Sequence, residues 1–305
     1  MDVSRGNICR IGLLVFLLLL LCVPYAGCAV SGESKEDRDG SLSQIQAAED
    51  GQIAVSFLGT AEDADCMIIS SGKRAVMIDT GEEQDGERIL AVLEEKGIEV
   101  IDYMILTHPD ADHVGGADAV LRNFRVLQVV EPVYGGDAEK EERFEKLNGY
   151  CEENGIPVRR LKENLDVSTD YLDFTVYPPE KPYYEKANNY SLAVLVSHGS
   201  VHLFFAGDAL RIRSKELLEI PLPEIDLYKV PHHGRDNKAT EEMFEAIHPR
   251  YAVVTAGDAE EEVKKSCSKL GVQLFFTGQQ GWEFISDGKE LWINEKNGLK
   301  RKENG

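Results

Sequence analysis

A chain of 305 residues, 43% hydrophobic and 29% charged, has a globular composition and room for one large domain or two small ones. Its formal net charge of -21 repels polyanions at long range. That counts against the broad Lys/Arg-lined groove of tight, protein-wide nucleic-acid binding, though not against the cutting of a phosphodiester held locally by metals.

Arg5 and Arg10 lead into an almost wholly apolar run, residues 11–23, followed by Pro24 and the small residues Ala26, Gly27 and Cys28. This is the charge, length and cleavage chemistry of a secretory signal over 1–28. The run is short for a membrane span. Ala-Gly before Cys28 resembles a bacterial lipobox, with Tyr25 where an aliphatic residue is usual. The expectation is an extracellular protein held on the outer face of a bacterial membrane by a lipid on Cys28; ordinary cleavage and an uncleaved anchor are the alternatives. Residues 29–51 are polar and aperiodic and read as a tether. Cys66, Cys151 and Cys267 show no CxxC spacing and read as buried free thiols.

Residues 52–295 form the domain, and 296–305 a polar tail. Turn spacing predicts an antiparallel meander of strands at 53–58, 67–70 and 75–78, then a helix over 87–96 stopped by Gly97. A buried strand at 101–106 runs into THPDADHVGG (107–116), whose two glycines permit tight turning before a short helix at 117–123. A strand at 125–130 precedes a charged helix at 140–153, with the run 139–142 on its solvated face. Strands at 158–161 and 172–177 and a loop at 178–189 follow. A hairpin pairs 191–196 with 201–206 and places His198 and His202 in solvent near its tip. Strands at 226–230, 251–255, 272–276, 282–286 and 291–294 alternate with helices at 240–247 and 260–270. No repeat or internal linker interrupts the domain, and this alternation implies one layered α/β architecture.

The loop carries His108, Asp110, Asp112 and His113 within six positions. Carboxylates and imidazoles buried together need partners, and a cation satisfies all of them. Asp79, Asp208, His232 and His233 stand at the tips of other apolar strands, where a rigid scaffold displays chemistry. His108, Asp110, Asp112, His113, Asp208 and His233 supply enough nitrogen and oxygen for two divalent ions. Asp79 either binds metal or orients the loop. Asn189 and Ser191 cap a turn or touch the site. Lys229 reads as solvated at a strand edge or as a phosphate contact.

These motifs, AVMIDTG, the HxDxDH core, FFAGD and KVPHHG, resemble the metallo-β-lactamase-fold hydrolases over about residues 52–294. The closer likeness is to the ComEC-type competence hydrolase domain and its free-standing relatives. That subfamily shows DVGQGD, HxDxDHxGG, NNxSLVL, GD and PHHGS where this chain has GTAEDAD, HPDADHVGG, NNYSLAV, AGD and PHHGR. The resemblance implies a metallo-β-lactamase-like four-layer αββα sandwich with two divalent metal ions, manganese or zinc, at the sheet edge. It implies His108 and Asp110 on one ion, Asp112, His113 and His233 on the other, and Asp208 bridging. Asp112, Asp208 and His232 then lie closest to the chemistry, with Asp79, Asn189, Ser191 and Lys229 supporting the ligands or meeting substrate. In such sites the ions lie about 3.5–4 Å apart and share a water.

Three departures matter. Asp110 replaces the second His of the commoner HxHxDH motif, and Asn188-Asn189 stand near the position of a later His, which favours harder ions and disfavours lactam cleavage. Arg235 replaces the Ser after HHG. Ala256-Gly257-Asp258 stands where relatives carry Gly-His-Pro. The expected activity is hydrolysis of a small phosphoester or short nucleic-acid strand, with no stable protein partner. Ester, lactone or thioester hydrolysis is the alternative within enzymes, and a non-catalytic metal- or ligand-binding lipoprotein the alternative outside them.

Overall fold

The computed structural model describes residues 51–294; the signal segment with Cys28, the tether up to residue 50 and the tail from 296 lie outside the described residues. Among the described residues no helix is long and apolar enough to cross a membrane.

The chain builds one sheet, then the other, then returns. The first half gives β1 (Ile53–Leu58), β2 (Met67–Ser71), β3 (Arg74–Ile78), α1 (Gly86–Glu95), β4 (Val100–Ile105), α2 (Ala111–Val114), α3 (Ala117–Asn123), β5 (Arg125–Val126), β6 (Val129–Pro132), α4 (Ala138–Glu153) and β7 (Val158–Leu161). The second half gives β8 (Leu165–Ser168), β9 (Asp173–Tyr177), β10 (Ala193–His198), β11 (Val201–Phe205), α5 (Arg211–Leu218), β12 (Leu227–Lys229), α6 (Thr240–Ile247), β13 (Tyr251–Val254), α7 (Glu261–Leu270) and β14 (Gln273–Phe276). β15 (Gly281–Ser286) and β16 (Leu291–Ile293) then pair back beside β1, completing a nine-stranded sheet against a seven-stranded one.

The inner strands are largely apolar on both faces, because each sheet is covered twice. In β3, Val76 and Ile78 pack between the sheets, while Ala75 and Met77 meet Ile89 and Leu93 of α1 and Val120 of α3. In β11, Leu203 and Phe205 join the same inter-sheet core, while Phe204 packs with Leu217 of α5 and Phe244 of α6. Three cores separate four layers, the αββα arrangement expected from the resemblance. The antiparallel meander β1–β2–β3 is as expected, and β4 then joins β3 in parallel.

Several local expectations are corrected. The strand expected at 125–130 is two short strands: β5 pairs with the start of β4 and β6 with its end. Helix α5 and strand β8 were not anticipated. α5 lacks an apolar stripe, because beside Leu217 it buries the polar Arg213, Ser214 and Glu216. The Arg213 guanidinium donates to the Ser191 and Tyr177 carbonyls and to Glu216, so its burial is satisfied. Gly115 and Gly116 have right-handed helical backbone; their role is close approach, since a Cβ on Gly116 would lie 2.3 Å from the Thr80 carbonyl oxygen. His198 and His202 are half-buried rather than solvated, each bonded to a serine, Ser286 and Ser197. The three described cysteines are buried and free, and burial pushes the Cys267 thiol up to about 12.

In each sheet the parallel strands end on the same side. The residues following β3, β4, β11 and β13, and the end of β12 itself, therefore converge at one edge, the usual place for a ligand in a parallel sheet.

Candidate metal centre

Asp79 follows β3 and Thr107 follows β4, brought together by parallel pairing. The Thr107 N–H and hydroxyl each donate to an Asp79 carboxylate oxygen at 2.7 Å. His113 Nδ1 lies 2.8 Å from Asp79 Oδ2. An ionised carboxylate only accepts, so the His113 proton sits on Nδ1 and the Nε2 lone pair faces away. The Thr107 hydroxyl has already donated, so it accepts from His108 Nδ1 at 3.1 Å, and His108 is turned the same way.

A second relay repeats this from the other sheet. Thr255, just past β13, donates its hydroxyl to Asp65 Oδ1 at 2.5 Å and lies 3.2 Å from His233 Nδ1. The same logic presents His233 Nε2 to the site. Two buried carboxylates with their threonines thus orient three imidazoles, with rings 4.1 Å (His108–His113) and 5.4 Å (His113–His233) apart, and two of them, His113 and His233, converge with carboxylates.

Asp112, His113, Asp208 and His233 converge there, one donor atom from each lying within 4.8 Å of all the others. Asp208 Oδ2 is 3.4 Å from both His113 Nε2 and His233 Nε2, and Asp112 Oδ2 is 3.1 Å from His233 Nε2. The buried Nε2 atoms of His108 and His113 have no hydrogen-bond partner. Unpartnered imidazole nitrogens walled by carboxylates are what a divalent cation satisfies, so these residues are able to bind metal. Asp65, Asp79 and His113 also converge, but both carboxylates there are already spent on Lys229, Thr255, Thr107 and the Nδ1 side of His113.

The remaining residues differ in place. His108 Nε2 lies 3.8 Å from Asp110 Oδ2, and the other Asp110 oxygen accepts from Lys140 Nζ at 2.5 Å. Lys140 therefore leaves the solvated face expected for the run 139–142. Lys229 is corrected too: it is fully buried, ion-paired to Asp65, 3.6 Å from Asp208 Oδ1 and bonded to the Gly207 carbonyl at 3.0 Å. Ser191 accepts from the Asp208 N–H at 3.0 Å. Asn189 turns away, its Oδ1 accepting from the Arg213 N–H, and it is Asn188 that donates to Asp208 Oδ2 at 3.1 Å. His232 is half-buried beside His233, outside the converging donors. Arg235 is exposed.

Backbone strain gathers here. Asp79 (φ 57°), His232 (φ 51°) and His233 (φ 51°) are left-handed non-glycine residues. Gly207 (φ 53°) lets β11 deliver Asp208, since a Cβ there would lie 2.9 Å from that of Ser191.

Electrostatics follow the same layout. Burial alone would depress His113 and His233, but Asp208, Asp79 and Asp65 around the first, and Asp208 and Asp65 around the second, hold both well above the ordinary imidazole value. Burial would raise Asp208, yet His233 and His113 hold it well below the usual carboxylate range. His108 moves the other way, to about 4, through burial and the neighbouring His113. Proton and metal compete for the same Nε2 atoms.

Sequence reasoning missed Asp65, Thr255 and Lys140. Asp65 precedes a strand rather than ending one; its signal was its place in GTAEDAD, the counterpart of DVGQGD. Thr255 and Lys140 carry no motif signal.

Residues 59–257 match the family described as the metallo-beta-lactamase superfamily. The chain belongs to that superfamily. It is 31% identical over 174 residues to ComE operon protein 3 of Bacillus subtilis, covering 56% of this chain and 22% of that protein. It is 24% identical over 208 residues to Recombination protein 2 of Haemophilus influenzae, covering 67% of this chain and 24% of that protein. The chain thus spans under a quarter of the length of these relatives, and the ComEC-type resemblance drawn from the motifs holds for that part. Among solved structures it is similar to the metallo-beta-lactamase fold protein YhfI of Bacillus subtilis, at a TM-score of 0.52 and 14% identity over 77% of this chain and 100% of that one. The superfamily consists mostly of metal-dependent hydrolases, and this chain carries its fold and a His/Asp cluster able to hold metal.

Proposed function

We propose that this chain is a metal-dependent phosphodiesterase acting on a small phosphodiester or a short nucleic-acid strand. The observation that carries this is the convergence of Asp112, His113, Asp208 and His233 around unpartnered buried nitrogen. A divalent ion held there supplies Lewis acidity and a nucleophile from water near neutral pH. The protein's own groups do the rest. Asp79 and Asp65 lock the imidazoles in one tautomer, and Lys229 holds Asp208 against the donors. His232, half-buried at the edge of the cluster, is placed to return a proton to a leaving oxygen. Lys140 and Arg143 bring positive charge to the loop in an otherwise acidic chain, which suits an anionic group of limited size. The four converging residues offer two carboxylate oxygens and two imidazole nitrogens, a mixed donor set that suits manganese as well as zinc.

Manganese-loaded protein is expected to hydrolyse bis-para-nitrophenyl phosphate and single-stranded DNA, and Asp208→Ala to lose at least about 100-fold, the scale of removing a main charge-stabilising group. Turnover of a carboxylic ester panel with no phosphodiester cleavage would move the reading to ester chemistry. We also propose that the domain is secreted and held to the membrane through Cys28. Cys28→Ser is then expected to move the protein from the membrane to the soluble fraction.

A further inference from the structure

The second half of the expected ligand set is not free to take an ion. Asp110 is held by Lys140, whose ammonium is one-third exposed (32%) and meets the carboxylate at 2.5 Å. Helix α4 is built to deliver that ammonium. Asp137 caps it by accepting from the N–H groups of Glu139 and Lys140, which fixes the first turn. Three residues on, on the same helical face, Arg143 donates to the Pro109 carbonyl at 3.0 Å. Two basic side chains at i and i+3 thus dock α4 on the loop, one on Asp110 and the other on the residue before it.

The other donors at this position point the same way. Asn188 stands near it and turns its amide N–H, not an imidazole lone pair, toward Asp208. Neither His108 nor Asp110 belongs to any converging group of three or more donors among the described residues. An ion entering between them would face an ammonium in direct contact with one of its few ligands, and like charges at that distance repel strongly.

We propose that the chain holds a single tightly bound divalent ion, on Asp112, His113, Asp208 and His233, and that Lys140 supplies the positive charge at the second position, where it meets a phosphoryl oxygen of the substrate. The phosphoryl half rests on the phosphodiesterase reading; the single-ion half does not. Asp110 is then a positioning residue that holds the ammonium.

The test is the metal-to-protein ratio after manganese loading and desalting, measured on the whole purified chain for wild type, Lys140→Gln, Lys140→Arg and Asp112→Ala. The expected ratios are one for wild type and Lys140→Arg, two for Lys140→Gln, and below one for Asp112→Ala. Lys140 is partly exposed on a helix, so its substitutions leave the fold intact, and circular dichroism checks this. A wild-type ratio of two overturns the proposal, as does a Lys140→Gln ratio that stays at one. With bis-para-nitrophenyl phosphate, Lys140→Gln is expected to lose about 10–100-fold in kcat/KM, the scale of one charge-assisted hydrogen bond, with Lys140→Arg retaining most of it. If wild type binds one ion and cleaves no phosphodiester, the functional reading fails while the ion count stands. If it binds two and cleaves, the reverse holds.

Discussion

Asp65 and Lys229 are both fully buried and ion-paired with each other. Burial alone would lower the lysine and raise the aspartate; their mutual attraction, with Asp208 and the imidazoles, reverses both. Lys229→Met therefore leaves Asp65 buried and uncompensated. It is expected to cost about 3–5 kcal/mol in urea unfolding, and a loss below about 1 kcal/mol would show that the pair does not hold the site. Asp79 acts on metal only through His113. Asp79→Asn, which accepts less strongly at Nδ1, is expected to weaken metal binding about 10–100-fold in a chelator competition while the secondary structure is unchanged. The histidines also set the acid response of the metal-free protein. His108 has its value lowered from 6.5 to about 4, so the unfolded chain binds more protons between those limits and stability rises with pH across them. At about 1.4 kcal/mol per unit this amounts to about 3 kcal/mol. His113 and His233 are raised, so their contribution is complete below 6.5 and is lost only as pH climbs through their folded values. The windows do not overlap. Unfolding of chelator-treated His108→Gln should lose the slope between pH 4 and 6.5, and a slope equal to wild type would refute the assignment.

At the scale of elements, the site is a set of strand ends, and what the sequence disclosed follows from that. Strands buried on both faces are legible as apolar runs, and a polar residue at the end of such a run is conspicuous. Asp79, Asp208, His233 and the 107–116 loop were visible for this reason. Asp65 precedes its strand inside an acidic turn and looked like ordinary loop chemistry. Lys229 looked solvated because a lysine in a short strand usually is; only the pairing of β11, β12 and β13 reveals the carboxylate beside it. α5 was invisible because it buries polar side chains and shows no apolar period. The Gly207 turn has an element-scale consequence. Gly207→Ala must push Ser191 and Thr107 apart and holds an L-residue at φ 53°. Expected are about 1–3 kcal/mol of destabilisation and weaker metal binding, because Asp208 and the Thr107 relay move together. Thermal unfolding with and without manganese separates the two effects.

For the molecule as a whole, the four-layer sandwich gives the candidate metal centre its rigidity by drawing the converging side chains from both sheets. Asp112 and His113 come from the first, Asp208 and His233 from the second, and Asp65 ties them by pairing with Thr255 and Lys229 across the interface. Metal bound there joins the two halves, and binding to the folded state alone raises stability by mass action, by about 2.7 kcal/mol at a hundredfold excess over Kd. The chain's net charge of -21 confines substrate attraction to the patch around Lys140 and Arg143, so cleavage of long duplex DNA is expected to be slower than that of short strands, and more salt-sensitive. Asp112, His113, Asp208 and His233 are proposed as the metal ligands. An anomalous-difference map from crystals of the manganese-loaded chain tests this most directly. The expected result is a dominant peak about 2.0–2.2 Å from one donor atom of each of these residues. A dominant peak at Asp65 and Asp79 instead, or no peak at all, would contradict it.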